Sequence, residues 1–413
     1  MLKLPYRSID KIEEKFKALY GEITDYQKNR YNDLFNRFTK TFNADVAYFA
    51  SSSGRVEICG NHTDHNGGRV VSCAISLDTL ATFLPTDNGV IHIKSDGYDD
   101  IIVDVNVDVK EKIGTSEALV RGVVVALKNR NYKVGGFNAC FTSNVLGGAG
   151  ISSSASFELI VAEILNFLYN DGQITAEEKS KIAQFSENVY FGKPCGLLDQ
   201  TAIAFGGVKR LDFSNPEKIS VTDINNDLSN YTLILINTGG SHADLTDEYA
   251  AIPKEMFEVA NAMGKNRLID VGEKEFYDNL PTMFNKLSDR GILRAIHFFE
   301  ENNRVDKVYD ALNKGEYDIF LDMLNKSGES SLYKLQNCFV TGRKEQPIPK
   351  TLSVIKNVLT CGACRVHGGG FAGSVLVVVK NNYKDEFITQ MQRYFNQNDI
   401  IPLKVRSIGT IVL

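Results

Sequence analysis

The segment NVLGGAGISSSAS, residues 144–156, constrains the fold most, because it places a glycine-rich turn between a predicted strand, FNACFTS, and a helix. In that helix Phe157, Ile160, Ile164 and Leu168 recur at helical spacing and form one apolar face. Small residues let a backbone approach a ligand, and the N–H groups of a helix N-terminus favour phosphate. The segment is not a Walker loop, because no Lys-Ser or Lys-Thr follows the last glycine. A tight turn with a serine cap is the alternative.

The rest of the pattern mixes strands and helices without regular alternation. Residues 8–42 have apolar side chains at helical spacing, and residues 46–109 form short β-rich runs between Gly, Asn and Asp clusters. Helices are expected at 117–128 and 175–191, and two strands, CRVHG and SVLVVVK, near the end. This order predicts an α+β fold with mixed or antiparallel sheets, not a doubly wound one. We place an N-terminal lobe at 1–212 and a C-terminal lobe at 213–413.

Length and composition exclude several classes of protein. A chain of 413 residues is expected to form two or three domains at roughly 150 residues each. With 46 Lys and Arg against 51 Asp and Glu, the net charge of −5 gives no electrostatic footprint for nucleic acid. The seven cysteines are odd in number and widely spread, which favours a reducing compartment. The sequence shows no signal peptide and no membrane span, so we expect a cytoplasmic protein.

A second segment, GRVEICGNHTDHNGG at 54–68, is dense in polar side chains. It contains Arg55, Glu57, Asn61, His62, Asp64 and His65. Directional donors and acceptors at this density suit a polyol ligand, whose hydroxyls need both. Zinc bound through the two histidines is the rival interpretation. It is disfavoured, because the histidines lack helical i, i+4 spacing and a third ligand nearby in sequence.

Two further features leave alternatives open. The glycines of GGGFAG, residues 368–373, match the dinucleotide-binding pattern, but that pattern must open a helix and here a strand follows. We therefore interpret this segment as a loop that lets a ligand of the other lobe approach closely. Glu187 and Asp199 lie twelve residues apart across CGLLDQ. They suit a metal ligand and a base, although their spacing alone favours a solvated helix face and a cap.

These segments, in this order, resemble the kinases of the GHMP superfamily (galactokinase, homoserine kinase, mevalonate kinase and phosphomevalonate kinase), and within it the galactokinase family. SENVYFGKPCGLLDQ and HADLTDEY also fall in register with that family. The resemblance implies a two-lobed fold with a cleft between the lobes. It also implies an ATP-dependent sugar 1-kinase, most simply a galactokinase, that uses Mg²⁺ and small-molecule substrates without nucleic acid, membrane or an obligate protein partner.

The resemblance also assigns roles to individual residues. Asp199 would accept the proton of the C1 hydroxyl or orient that hydroxyl, and Arg55 would keep Asp199 ionised and stabilise the transferring phosphoryl group. Ser154 and Glu187 would bind the metal, with Ser153 as the alternate serine. The phosphates of ATP would contact Gly148, Ala149, Gly150, Ile151, Ser152, Ser153 and Ser154. The sugar would contact Asn61, His62, Asp64, Gly196 and Tyr249.

Departures from the family pattern affect the choice of substrate. Asn61 stands where galactokinases have Glu, at a position that resembles a contact to the C6 hydroxyl, and an amide both donates and accepts. The alternative substrates are therefore galacturonate and N-acetylgalactosamine. A noncatalytic sensor of galactose and ATP is a third hypothesis, although SSSAS is complete here. The chain has no Trp, so the aromatic that often flanks adenine is absent or replaced.

Overall fold

The computed structural model describes residues 4–226, 228–240 and 245–413. The strands are β1 Tyr48–Cys59, β2 Arg69–Thr86, β3 Val90–Ser95, β4 Ile101–Asp104, β5 Gly136–Ser143, β6 Val208–Asp212, β7 Ser220–Asp223, β8 Tyr231–Gly240, β9 Gly362–Val366, β10 Gly373–Lys380, β11 Ile400–Leu403 and β12 Ile411–Val412. The helices are α1 Phe16–Tyr20, α2 Asp25–Phe42, α3 Ser116–Asn129, α4 Ser153–Tyr169, α5 Ala176–Phe185, α6 Leu198–Phe205, α7 Thr246–Ala262, α8 Leu268–Val271, α9 Glu273–Met283, α10 Asp289–Lys314, α11 Tyr317–Ser330, α12 Pro347–Val358 and α13 Lys384–Met391.

Two sheets organise these elements. The first has eight strands in the order β12-β1-β2-β5-β3-β4, with β6 beside β2 and β7 beside β6. The second has four strands in the order β11-β8-β10-β9. Among the described residues, all strand pairs are antiparallel except β3 and β5, which are joined through β4 and α3 and run parallel. The predicted α+β class with mixed sheets is confirmed.

The first sheet does not end at residue 212. Strand β7 pairs with β6, and β12 returns from the end of the chain to pair with β1, with Ala50 opposite Val412. A cut between residues 212 and 213 therefore does not separate the two sheets. The division into lobes at that position stays a prediction, and the pairing assigns β7 and β12 to the first sheet.

Helix α4 is the centre of the first sheet's core. Eleven of its residues are buried, on more than one face, and they pack with α3, α5 and the inner faces of β1, β2 and β5. The predicted helix at 175–191 is α-helical to Phe185 and continues as a π-helical turn, Ser186–Phe191. Such turns are frequent at functional sites, and this one carries Glu187. Within the described residues, no helix combines the length and the apolarity that crossing a membrane requires.

Candidate functional site

A glycine turn joins β5 to the N-terminus of α4. Gly148, Gly150 and Ser152 all have left-handed backbones, with φ of 81°, 75° and 65°. A serine in this conformation is strained by about 1–2 kcal/mol, and such strain concentrates at functional sites. Ser152 occupies the N-cap position, but its side chain makes no capping bond. The serine-cap alternative therefore does not explain Ser152, and the turn has the form of an anion-binding concavity.

The backbone of the turn is attached to both sheets. The carbonyl of Ala149 accepts a hydrogen bond from the Ser374 hydroxyl at 2.9 Å, at the start of β10. The carbonyl of Ile151 accepts one from the backbone N–H of Arg55 at 3.2 Å, in β1. Ala149 and Ile151 are themselves buried. These anchors hold the turn in place beside both predicted catalytic residues.

Arg55 and Asp199 form an ion pair beside this turn. Nε and Nη2 of Arg55 lie 2.8 Å and 2.7 Å from Oδ1 of Asp199, and the Ser152 hydroxyl donates to Oδ2 at 2.5 Å. Nη1 of Arg55 donates to the carbonyl of Gly150. Burial alone would raise the pKa of Asp199, but Arg55 and the hydrogen bond from Ser152 outweigh burial and hold this pKa below its usual range. Asp199 is therefore an ionised carboxylate at neutral pH.

Ser154 and Glu187 lie together at the start of α4. The Ser154 hydroxyl donates to Oε1 of Glu187 at 2.9 Å, and Gln200 donates to Oε2 at 2.9 Å. Oε1 also attracts a cation, because the ammonium of Lys193 lies 3.1 Å away. Among the described residues, no cluster of three or more His, Cys, Asp or Glu side chains is arranged as a metal site. Mg²⁺ needs fewer, since one or two hard oxygen ligands and the substrate's phosphates suffice, so this pair fits it.

Asp64 lies where Gly196 leaves room for it. A methyl group built on Gly196 would lie 1.8 Å from Oδ2 of Asp64, so no other residue fits at position 196 without displacing the carboxylate. Burial raises the pKa of Asp64 to about 6, and the nearby carboxylates of Asp199 and Glu57 add to the shift. The structure thus brings together two residues that the sequence separates by more than a hundred positions.

His62 and Tyr249 both contact the third glycine segment. The imidazole Nε2 of His62 lies 3.0 Å from the carbonyl of Gly369, and the Tyr249 hydroxyl donates to the carbonyl of Gly370 at 2.7 Å. Burial lowers the pKa of His62, so the ring is neutral and Nε2 is the donor. The segment is a loop between β9 and β10, as predicted, and no helix follows it. His242, the first residue of HADLTDEY, lies outside the described residues.

The amide of Asn61 is bonded within the protein on both its nitrogen and its oxygen. It is fully buried, and its amide nitrogen donates to Glu57 Oε1 at 3.0 Å and to the carbonyl of Gly368 at 2.7 Å. Its amide oxygen accepts from Asn337 at 2.8 Å and from Ser331 at 3.3 Å. All the amide's usual hydrogen bonds are therefore made within the protein. A contact from Asn61 to a sugar hydroxyl would require one of them to break.

The sequence alone did not identify the residues that bond Glu57, Ile58 and Gly60. Arg365, in β9, pairs with Glu57 and donates to the carbonyl of Ile58 at 2.9 Å. His367 accepts the N–H of Glu57 at 3.2 Å, and Glu301 accepts that of Gly60 at 3.0 Å. The sequence offered one signal, the polar residues Arg365 and His367 beside the third glycine segment. Their partners lie about 300 residues away in sequence, so the pairing could not be predicted.

Comparisons with known proteins point to one family. A family model described as the galactokinase galactose-binding signature matches residues 36–85, and one described as the N-terminal domain of GHMP kinases matches residues 118–207. A galactokinase of Limosilactobacillus reuteri is 30% identical over 370 residues, which cover 86% of this chain and 90% of that protein. A galactokinase of Clostridium tetani is 28% identical over 371 residues, 89% of this chain and 92% of that protein.

Solved structures share the fold. The crystal structure of Lactococcus lactis galactokinase complexed with galactose has a TM-score of 0.78 at 22% identity, and the match covers 98% of this chain and 100% of that one. The Methanococcus jannaschii mevalonate kinase has a TM-score of 0.62 at 15% identity, with 86% of this chain and 98% of that one covered. At these identities the structural matches support the fold alone.

Proposed function

The chain belongs to the galactokinase family, and from this premise we propose that it transfers the γ-phosphate of ATP to the C1 hydroxyl of galactose. One observation supports this most strongly. The carboxylate of Asp199 is ionised, bonded to Arg55 and Ser152, and placed beside the glycine turn at the N-terminus of α4. A base, a cation and a phosphate-binding turn at one point are what phosphoryl transfer to a hydroxyl needs.

Each of these groups has a part in the proposed reaction. Asp199 accepts the proton of the C1 hydroxyl or orients that hydroxyl toward the phosphorus. Arg55 keeps Asp199 ionised and neutralises charge on the phosphoryl group. The backbone of residues 148–154 binds the phosphates at the N-terminus of α4. Phosphoryl transfer depends mainly on positioning and charge, so rigid anchoring of the turn serves catalysis directly.

We propose Ser154 and Glu187 as the Mg²⁺ ligands. The hydroxyl and the carboxylate lie 2.9 Å apart, and both are the hard oxygen donors that this ion prefers. When bound, Mg²⁺ would neutralise charge on the phosphates of ATP. Lys193 contacts the same carboxylate with an ammonium group whose side chain is 63% exposed, so it can move aside when another cation binds.

The sugar would lie near Asp64, which contacts Gly196, and near His62 and Tyr249, which contact the loop at 368–370. The alternatives from the sequence are not favoured. Galacturonate and N-acetylgalactosamine were suggested by Asn61 alone, and the amide of Asn61 is bonded within the protein. A noncatalytic sensor would not need the ion pair of Asp199, which is intact.

The experiment that tests this function is a sugar panel with purified protein, Mg-ATP and ADP detection. We expect ADP release with galactose, and much less with glucose, galacturonate or N-acetylgalactosamine. No ADP above background with galactose would remove the proposal. Purified protein suffices, because we propose no obligate protein partner. The seven cysteines are free thiols, and we propose the cytoplasm as the compartment.

The pKa of Asp64 predicts an acid limit for sugar binding. Because this pKa is raised to about 6, the carboxyl gains a proton below about pH 6, and it then has one O–H donor and less acceptor capacity for sugar hydroxyls. We expect kcat/KM for galactose to fall as the pH drops through 6, mainly through KM. The measurement is a pH profile of kcat/KM from pH 4.5 to 8. Asp64→Asn should have a lower value and no inflection near pH 6; an inflection unchanged in Asp64→Asn would assign it to another group.

Replacement of Gly196 by alanine should damage the sugar site selectively. The added methyl group would overlap Asp64 Oδ2, so Asp64 must move. Overpacking of this kind costs about 1–3 kcal/mol, which corresponds to roughly 5- to 150-fold in KM for galactose. The KM for ATP should stay within about twofold of the wild type. In the background Asp64→Ala, the same glycine substitution should add little, and a full additive effect there would disprove the steric explanation.

A further inference from the structure

Glu57 lies on the same face of β1 as Arg55, although the proposed function assigns it no role. Arg55, Val56 and Glu57 pair in unbroken register with Ala74, Cys73 and Ser72 of β2. Side chains two positions apart on a strand share a face and lie about 7 Å apart. Glu57 therefore extends toward the same side as Arg55, which bonds the predicted base Asp199. Its charge acts there, because it raises the pKa of Asp64.

The two oxygens of the Glu57 carboxylate are in different situations. Oε1 accepts from Arg365 Nη2 at 2.9 Å and from Asn61 Nδ2 at 3.0 Å. Among the described residues, Oε2 has no hydrogen-bond partner, and it is not one of the polar atoms sealed in the core without a partner. The side chain as a whole is 4% exposed, and Oε2 is the carboxylate oxygen that neither Arg365 nor Asn61 bonds. An unbonded carboxylate oxygen in this setting points to a ligand that donates a hydrogen bond.

The bonds on Oε1 fix the direction of Oε2. Arg365 is fully buried and donates to the carbonyl of Ile58, and Asn61 is held by its own bonds to Gly368 and Asn337. A carboxylate held by two such partners cannot rotate without losing both. Asn61 acts here as a positioning residue. In the family that the sequence resembles, position 61 carries a carboxylate. Here the carboxylate beside that position belongs to Glu57, four residues earlier in the chain.

We propose that Glu57 is a specificity-determining residue that accepts a hydrogen bond from a hydroxyl of the sugar through Oε2. This rests on the proposed function, and it sharpens the substrate class. Glu57 and Asp64 are carboxylates close enough to interact electrostatically, and carboxylates only accept hydrogen bonds. The ligand between them must donate from neutral hydroxyls, and a carboxylate on the sugar would be repelled. The site therefore selects neutral sugars and rejects galacturonate.

The test compares Glu57→Gln with Glu57→Asp. The glutamine retains the size of the side chain and removes the charge, whereas the aspartate retains the charge, and so a partner for Arg365, and shortens the reach. Loss of a hydrogen bond to a charged group corresponds to about 10- to 150-fold in affinity. We expect Glu57→Gln to raise KM for galactose by that factor, to change kcat little and to gain activity on galacturonate relative to galactose. Glu57→Asp should raise KM and still reject galacturonate.

A series of deoxygalactoses identifies the hydroxyl. In the wild type, removal of the hydroxyl that bonds Glu57 should cost about 10-fold or more in kcat/KM; in Glu57→Gln the same removal should cost almost nothing. The matched control is Glu163→Gln, which breaks a partly buried ion pair with Lys179 outside the site and should leave KM for every sugar unchanged. Equal costs for every deoxy sugar in the wild type and Glu57→Gln would overturn the proposal.

Two measurements keep this result separate from the proposed function. If Glu57→Gln does not fold, the deoxy series in Glu57→Asp decides, because its charge still neutralises Arg365. Galactose binding without ATP is followed by calorimetry in all variants. If the wild type binds galactose but releases no ADP, the proposed function fails while the binding data still test Glu57. If the wild type binds galactose and the affinity of Glu57→Gln is within twofold of the wild type, only the role proposed for Glu57 fails.

Discussion

Asp199→Asn should lose about a thousandfold or more in kcat while the protein stays folded. The amide has the size of the carboxylate but neither its charge nor its basicity, and a positioned general base contributes about 10²–10⁴-fold. Ser152 and Arg55 now donate to the two oxygens of Asp199, and an amide offers only one acceptor oxygen to both. The remaining NH₂ group would face a donor. Turnover should therefore fall through chemistry, with little change in KM for ATP.

The measurement is kcat by ADP release at saturating galactose and ATP, together with thermal unfolding. The side chain of Asp199 is 31% exposed, so its replacement should leave the unfolding temperature within a few degrees. Asp212→Asn is the matched control, because Asp212 also accepts from the Nε of an arginine, Arg69, at 3.0 Å, but outside the site. It should retain near-normal kcat. Turnover above one tenth of the wild type in Asp199→Asn would contradict the role of a base.

The sequence predicted those parts of the fold that depend on local patterns. The turn at 144–156 and helix α4 follow from glycines, serines and an apolar face within a single stretch of chain. The segment at 368–373 was correctly interpreted as a loop that no helix follows, because the run SVLVVVK after it forms strand β10. Hydrophobic periodicity and turn chemistry are local, so they were sufficient here.

Long-range pairing was beyond the reach of these patterns. Strand β12 returns to β1 from the end of the chain, so a boundary placed near residue 212 from the order of strands and helices could not separate the sheets. The amide of Asn61 is occupied by Ser331 and Asn337, which follow it by 270 and 276 residues. A motif records residue types and not the partners to which their side chains are already bonded. A motif comparison therefore predicts that Asn61 contacts the ligand.

The same limit concealed Glu57. Sequence reasoning included it among the polar residues of 54–68 but gave it no role, since the resemblance placed the carboxylate at position 61. Only the structure shows that one oxygen of Glu57 is held by Arg365 and Asn61 and the other is not bonded. Asn61, the residue that suggested a different sugar, therefore lies beside the carboxylate of Glu57. That carboxylate would repel a negatively charged sugar.

Arg55→Met should lower kcat by about a thousandfold and also shift the pH dependence of the remaining activity. The guanidinium is the main attraction that lowers the pKa of Asp199 against the effect of burial. Without it burial dominates, the pKa of Asp199 rises, and the acid limb of kcat moves to higher pH. Because kcat is measured at saturating galactose, the titration of Asp64 in the free enzyme does not enter.

Arg55→Lys separates the two contributions of the arginine. A lysine retains the charge, but its single ammonium cannot bond Asp199 through two nitrogens and the carbonyl of Gly150 through a third. We expect Arg55→Lys to restore most of the acid limb and only part of kcat. Arg210→Met, which breaks a pair with Asp306 outside the site, should change neither. An acid limb of kcat at the same pH in Arg55→Met and the wild type would show that Asp199 does not control it, because removal of its nearest cation must raise its pKa.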